Sequence, residues 1–272
     1  MRVRSGSAAV LVAALVLSAV AAACDRPAAA PAADGGRPSA ATQDTTGGFA
    51  APVAGGDIKA GDAQVDGGRI PTGVARFRMS AVANGEEREL GTLTQEVAPV
   101  EEGGRQLLRM VMSMKSPAGN GVDTSHVDAR TLAPVRLRAH NAEGTISIDF
   151  NGVKVLGNKV SASGQVQPVT QSTAAPAFDA SMIDYLVTAL PLSLGYTARL
   201  PIFMIEQGGL SWYSVRVIGD AMEAGQQSYA VDVVMPVGLA RYSVAKKDRR
   251  LLAATISFAQ GGGVLKMTRL PD

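Results

Sequence analysis

The sequence predicts a mainly β domain: a curved antiparallel meander that forms a half-barrel, with one inserted helix. Two observations support this fold class. Apolar and polar residues alternate in short runs from residue 74 onwards, a pattern typical of strands with one buried face. The period becomes helical only in residues 178–192. The helix would cover part of the concave side of the sheet, and a two-sheet sandwich is the alternative.

The strands follow one another along the chain with turn residues between them. In 74–82, Phe77, Met79 and Ala81 alternate with arginines and a serine. Asn151-Gly152 between two alternating runs is the signal of a tight hairpin. The pattern predicts strands at 74–82, 107–115, 134–140, 145–150, 153–155, 210–218, 228–235, 241–245, 251–258 and 264–270.

The helix is predicted at 181–190. Met182, Ile183, Leu186, Val187 and Leu190 recur at helical spacing, in a segment that begins after Asp179 and ends before Pro191. An aspartate in that position can accept a hydrogen bond from the first free N–H groups of a helix, and proline cannot continue one.

The first 23 residues have the features of a secretory signal peptide. Arg2 and Arg4 precede an apolar run at 8–23, which ends in three alanines before Cys24. That run is shorter than the roughly 20 residues that span a bilayer. The segment resembles a bacterial lipoprotein signal, in which cleavage occurs before a cysteine that receives lipid. The resemblance implies that Cys24 is lipidated and anchors the mature chain to a membrane.

Residues 24–68 are predicted to be a disordered tether, and 69–272 a single β domain. Ala, Gly, Pro, Asp and Thr dominate the tether, so it offers little apolar surface to bury. Removal of residues 1–23 takes away two of the 26 basic residues and leaves 24, equal to the 24 acidic ones. A neutral chain lacks the electrostatic signature of nucleic-acid binding.

Four stretches carry a resemblance to a known family. They are DTSHVDARTLAPVRLRAHNAEG (123–144), TISIDFNGVKVLG (145–157), FDASMIDYLVTALPL (178–192) and YSVAKKDRRLLAATISF (242–258). Residues 74–270 resemble a family of uncharacterised exported bacterial β-proteins. Its motif V-D-x-R-T-L-x-P is matched by Asp128, Arg130, Thr131, Leu132 and Pro134. The resemblance implies an architecture like that of the lipoprotein-localisation factors, which hold acyl chains between a curved sheet and helices.

No pattern predicts catalysis, a metal or a cofactor. His126 and His140 lie 14 residues apart, without further ligands at metal-binding spacing. Ser125 and His126 are adjacent on a strand, so their side chains should lie on opposite faces rather than form a catalytic pair. Lys246, Lys247, Arg249 and Arg250 surround Asp248. They form either a solvated hairpin tip or a contact for anionic lipid headgroups.

One apolar face is the candidate ligand site. Methionine adapts to varied shapes, so a methionine row on one strand suits a surface that holds acyl chains. The residues predicted to line a partly open apolar cavity are Phe77, Met79, Leu108, Met110, Met112, Met114, Met182, Ile183 and Leu186. The sequence therefore predicts a non-enzymatic, lipid-anchored protein of the bacterial cell envelope that binds an apolar ligand or acyl chain. The alternative is a scaffold lipoprotein with a filled core.

Overall fold

A computed structural model describes residues 54–205, 207–259 and 263–272. Residues 1–53, and with them the predicted signal peptide, Cys24 and the first part of the predicted tether, lie outside the described residues. The strands are β1 (Ala54–Asp57), β2 (Gly73–Ala83), β3 (Glu86–Glu102), β4 (Arg105–Ser116), β5 (Gly119–Asp128), β6 (Pro134–Asn141), β7 (Gly144–Asn151), β8 (Lys154–Ser161), β9 (Val166–Ser172), β10 (Phe178–Asp179), β11 (Thr197–Met204), β12 (Gly209–Glu223), β13 (Gln226–Met235), β14 (Gly238–Ala245), β15 (Leu251–Phe258) and β16 (Val264–Arg269).

These strands form one sheet with the order β1-β11-β12-β13-β14-β15-β16-β2-β3-β4-β5-β6-β7-β8-β9, and β10 pairs with β11. The pairs are antiparallel except those that β1 and β10 make with β11. The sheet is strongly curved and stays open, which confirms the predicted half-barrel. The sandwich alternative is not adopted because every strand belongs to the same hydrogen-bonded sheet.

Among the described residues, one short α-helix interrupts the strands, as the sequence predicts. A 3-10 turn at Ala180–Met182 leads into α1 (Ile183–Ala189), and the Asp179 side chain accepts a hydrogen bond from the backbone N–H of Ser181. The helix packs on one face of the sheet, which we call the inner face. Its apolar residues belong to the main core together with side chains from β2–β5 and β11–β16.

A second, smaller core joins the two ends of the curved sheet. Leu137, Ile148, Val155 and Val169 from β6–β9 pack with Phe203 and Ile205 at the end of β11. The rings of Phe150 and Phe203 meet edge to face, with centroids 6.1 Å apart. The sheet therefore curls until its β6–β9 end lies against β11.

The predicted boundary between tether and domain is wrong, because residues before 69 belong to the domain. Ile58 and Val65 are 0% and 1% exposed within the main core, and β1 pairs with β11. The Gly67 N–H donates to the Arg130 carbonyl at 2.7 Å, and a Cβ on Gly67 would lie 2.1 Å from the Ala129 carbonyl oxygen. A fragment that starts at residue 69 would lack these contacts, so the domain begins at or before residue 54.

The predicted strand ranges leave out β1, β3, β5, β9, β10 and β11. In β3, the longest of these, Gly91 and Pro99 interrupt the sequence pattern. In β11, the last five residues, 200–204, are all buried and include Pro201. A strand that is covered on both faces has no polar side, and so its sequence does not alternate.

The Asp128 side chain stabilises the turn of the motif at 127–134. Its Oδ1 accepts hydrogen bonds from the backbone N–H groups of Arg130 and Thr131, at 3.1 and 3.0 Å, and from the Thr131 hydroxyl at 2.9 Å. Leu132 adopts a φ of 54° and is fully buried. The motif is therefore a structural turn that presents an apolar anchor to the core.

Candidate functional site

One row of cross-strand neighbours crosses the inner face from β3 to β9. In order, the row contains Gln95, Met112, Asp123, Ala139, Ile146, Lys159 and Gln167. We call it the central row. Neighbouring strands lie about 4.8 Å apart, so the row spans roughly 30 Å. Its last four members, at the β9 end, border an open cavity.

The nine residues predicted to line an apolar cavity come together in the main core. Seven of them are at most 6% exposed: Phe77, Met79, Leu108, Met110, Met114, Met182 and Leu186. Met112 and Ile183 are half-buried and pack against the same cluster. Neither of the two cavities described below is lined by any of the nine. The centre of the inner face is therefore filled by side chains, with α1 over it.

An open cavity of about 560 Å³ lies further along the same face, over the turn ends of β6–β9. The last four members of the central row all line it, and Ala139 and Ile146 provide its apolar floor. Ile146 is only half-buried, so part of an apolar inner-face side chain is left uncovered by the protein. Asn141, Gln165 and Gln167 add amide groups at the rim.

The rim is built from two turns that hold their own shape. The Asn141 side chain accepts hydrogen bonds from the backbone N–H groups of Glu143 and Gly144, at 2.7 and 3.1 Å. Ser161 Oγ accepts one from the Gln165 N–H at 3.1 Å. Gly144 has a φ of 142°, and a Cβ there would lie 1.9 Å from the Val160 carbonyl oxygen, so only glycine fits. The cavity is thus preformed.

Sequence reasoning missed this cavity. Its floor residue Ile146 was correctly placed in a strand with one apolar face, but alternation does not tell which apolar residues another element covers. The sequence favoured the neighbouring methionine row as the ligand site, but α1 and the surrounding strands cover that row. The one available signal was Lys159, a charged residue at an inner-face position of β8. Its ammonium donates to the Ile205 carbonyl at 2.9 Å.

Two acidic side chains lie on or beside the central row: Asp123 is half-buried and Asp179 is buried. Burial, and secondarily the nearby Asp179 carboxylate, raises the pKa of Asp123 to about 7. Burial also raises the pKa of Asp179, although Ser181 and Ser125 hydroxyls donate to its Oδ2 at 2.6 and 3.3 Å. The inner face therefore carries a carboxyl group at Asp123, next to Ala139 on the cavity floor, that titrates near neutral pH.

Stability should fall as the pH rises from about 4 to 7, because Asp123 holds its proton more tightly in the folded chain than in the unfolded one. Over this range the folded state binds more protons, so deprotonation favours unfolding. We expect Asp123→Asn to flatten this part of the stability–pH curve, as measured by urea denaturation at several pH values.

Asp149→Asn is the matched control, because Asp149 is an exposed residue of β7 that pairs with Arg138 at 2.7 Å. Asp149→Asn also removes one carboxyl group, and the slope of stability against pH should be unchanged in this variant. An unchanged slope in Asp123→Asn would contradict the raised pKa.

Ser125 and His126, which are adjacent in the sequence, have structural surroundings rather than a shared site. Ser125 is buried on the inner face beside Asp179, whereas His126 lies on the opposite face as the cross-strand neighbour of Arg109 and Arg136. Burial, followed by the charge of Arg136, lowers the pKa of His126. The two side chains are therefore on opposite faces, as predicted, and do not form a catalytic pair.

The basic residues at 246–250 form a hairpin turn between β14 and β15. Lys246 pairs with Asp220 at 2.6 Å, and Arg250 pairs with Asp248 at 2.7 Å. Lys246 and Arg249 both lie over the ring of Tyr229, 5.0 and 5.2 Å from its centroid. These contacts favour the solvated hairpin tip over a contact for lipid headgroups.

Within the described ranges, no cluster of three or more His, Cys, Asp or Glu side chains could hold a metal ion. The same part of the chain contains no helix with the length and apolarity that a membrane crossing requires.

This chain is similar to solved structures with which it shares about 10% sequence identity. A DUF1329 family protein from Desulfovibrio piger is 10% identical, with a TM-score of 0.28, and the match covers 72% of this chain and 82% of that one. A protein from Vibrio parahaemolyticus, described as an outer membrane lipoprotein-sorting protein domain, is 9% identical with a TM-score of 0.27, and the match covers 75% and 86%. At these TM-scores no function is transferred from either. A search of curated proteins finds no match.

The sequence matches one family profile over residues 76–262. This range runs from β2 into the segment before β16, and it includes the motif turn, α1 and the open cavity. The match covers more than half of the chain and confirms the resemblance carried by the four sequence stretches. The chain therefore belongs to the family described as protein of unknown function DUF3108.

Proposed function

We propose that this protein is a non-enzymatic lipoprotein of the bacterial cell envelope that holds the acyl chain of an amphiphile in the open cavity over β6–β9. The observation that carries the proposal is a preformed space of about 560 Å³ with an apolar floor, on a face whose centre is filled by side chains. Small-molecule sites typically have volumes of about 300–1,000 Å³. Each methylene group buried there would contribute about 0.8 kcal/mol.

The lining favours an amphiphile over a purely apolar ligand. Ala139 and Ile146 offer apolar contact, while Asn141, Gln165 and Gln167 offer amides at the solvent side. An acyl chain could lie on the floor with its polar headgroup at these amides. The lipid anchor proposed at Cys24 would keep the cavity close to a membrane, which is a source of such molecules.

Ile146→Arg should weaken binding of 11-(dansylamino)undecanoic acid by about tenfold or more, because a charged side chain on the cavity floor would have to be desolvated by the acyl chain. Dansyl fluorescence titration of the mature chain measures the Kd. The control is Leu156→Arg, at a position on the opposite face of β8 that is 46% exposed, and it should leave the Kd unchanged. Equal Kd values in both variants would refute the assignment of the cavity.

The second candidate is an interaction or scaffold lipoprotein without a ligand. The packing of the nine apolar residues in the main core favours this alternative for the centre of the sheet. The absence of saturable probe binding by the unaltered mature chain would support it over the ligand-binding proposal.

A further inference from the structure

A second cavity, of about 220 Å³, lies beside α1 at the starts of β2 and β15. It shares no lining residue with the larger cavity. Segment 70–75 forms one wall, α1 forms another, and Arg250, Arg269 and Asp272 stand at the surface. It is smaller than the usual volume range of sites for drug-sized molecules, so an occupant must be small.

The helix wall is polar although it is buried. Asp184, Tyr185 and Thr188 all line the cavity and are only 9%, 6% and 4% exposed. Gln95 Nε2 donates to Asp184 Oδ2 at 2.8 Å, and the Thr188 hydroxyl donates to the Tyr185 carbonyl at 2.8 Å. Buried polar side chains are normally satisfied by hydrogen bonds, and these two are.

Tyr185 is the exception. Its hydroxyl is buried and has no hydrogen-bond partner within the described residues. Burial, and then the charge of Asp184, raises the pKa of Tyr185, so the phenol stays protonated and can donate. A buried hydroxyl without a partner, on a residue that lines a cavity, indicates that a partner from outside the chain can complete the site.

Two arginines at the surface side of the cavity hold the carboxylate of Asp272, and Arg250 Nε also pairs with Asp248 at 2.7 Å. Arg269 Nη2 contacts Asp272 Oδ1 at 3.0 Å, and Arg250 Nη1 contacts Asp272 Oδ2 at 3.3 Å. The Arg269 side chain is 16% exposed, whereas that of Asp272 is 63% exposed. Two guanidinium groups that converge on one carboxylate provide the geometry that recognises carboxylate ligands. Because the Asp272 side chain is exposed, it can move away from the arginines into solvent without a desolvation cost.

We propose that this cavity binds a small carboxylate that carries a hydrogen-bonding group at its far end. The ligand carboxylate would take the place of the Asp272 side chain between Arg250 and Arg269. The far group would reach the Tyr185 hydroxyl and the Asp184–Gln95 pair. Burial raises the pKa of Asp184 to about 6. At about pH 7.5 Asp184 is therefore ionised, and it would repel a carboxylate at the inner end and attract a hydroxyl donor. Asp272 is thus an internal competitor for the site.

The test is isothermal titration calorimetry of the mature chain with 4-hydroxybenzoate, benzoate and 4-hydroxybenzyl alcohol. We expect 4-hydroxybenzoate to bind more tightly than the other two, which each lack one of the two recognition groups. Asp272→Asn should lower its Kd about threefold or more by removing the competing charge, and Arg269→Gln should raise it about tenfold. Tyr185→Phe should abolish the preference for 4-hydroxybenzoate over benzoate.

Asp57→Asn is the control for charge, because Asp57 pairs with Arg199 at 3.5 Å, away from this cavity. Ile146→Arg, which blocks the larger cavity, should not change these affinities, so failure of one site can be distinguished from failure of the other. Equal Kd values for Asp272→Asn and the unaltered chain would overturn the proposal. The absence of saturable binding by both proteins would also overturn it.

Discussion

Phe77→Ala should lower the free energy of unfolding by about 3–5 kcal/mol. The Phe77 ring is fully buried on the inner face of β2, in the same cluster as Met79, Met110 and Leu186. Truncation to alanine removes most of the side chain and leaves a cavity that the surrounding strands cannot fill, because all of them are fixed by the sheet. Urea denaturation followed by circular dichroism measures the change.

Val74→Ala on the same strand is the control, because Val74 is 52% exposed. It should cost about 0.5 kcal/mol or less. Met112→Ala should fall between the two, since Met112 is half-buried at the point where the packed part of the central row ends. A loss below about 1 kcal/mol in Phe77→Ala would contradict a filled core and would return the ligand site to the nine residues first predicted to line it.

Cys24→Ser should move the protein from the membrane fraction to the soluble fraction of the cell envelope. We expect Cys24, directly after the three alanines at 21–23, to be the lipidated first residue of the mature chain. Two or more acyl chains hold a protein firmly on a bilayer, whereas one chain gives only reversible binding. Serine keeps the size of the side chain but lacks the thiol that receives the lipid. Fractionation and immunoblotting measure the distribution.

Ser39→Ala, in the predicted tether, changes a side chain of similar size and should leave the protein in the membrane fraction. The anchor proposal fails if Cys24→Ser remains in the membrane pellet after a salt wash. That outcome would leave the two cavities untouched as ligand sites, because neither depends on residues before Ile70.

Where local sequence decides the structure, the predictions succeeded. The alternation in β2, β4, β6 and β7 follows from the period of two that every half-buried strand must have. The Asp179 cap and the Asp128 turn are also local, because each side chain bonds backbone groups two or three residues away. Hairpin Asn151-Gly152 was placed within one residue, since the register pairs Asn151 with Lys154.

The tertiary structure alone decided which parts of the inner face are covered. Ile146 and Met110 both lie at apolar inner-face positions of their strands, yet Met110 is 2% exposed and Ile146 borders an open cavity. The difference arises from α1 and from the contact of β6–β9 with β11, which join residues far apart in sequence. The same long-range packing recruits Ile58 and Val65 from a segment whose composition alone predicts disorder. Composition and period thus determined the strands and the class of fold, whereas burial depends on which distant element covers each face, and no local pattern encodes that.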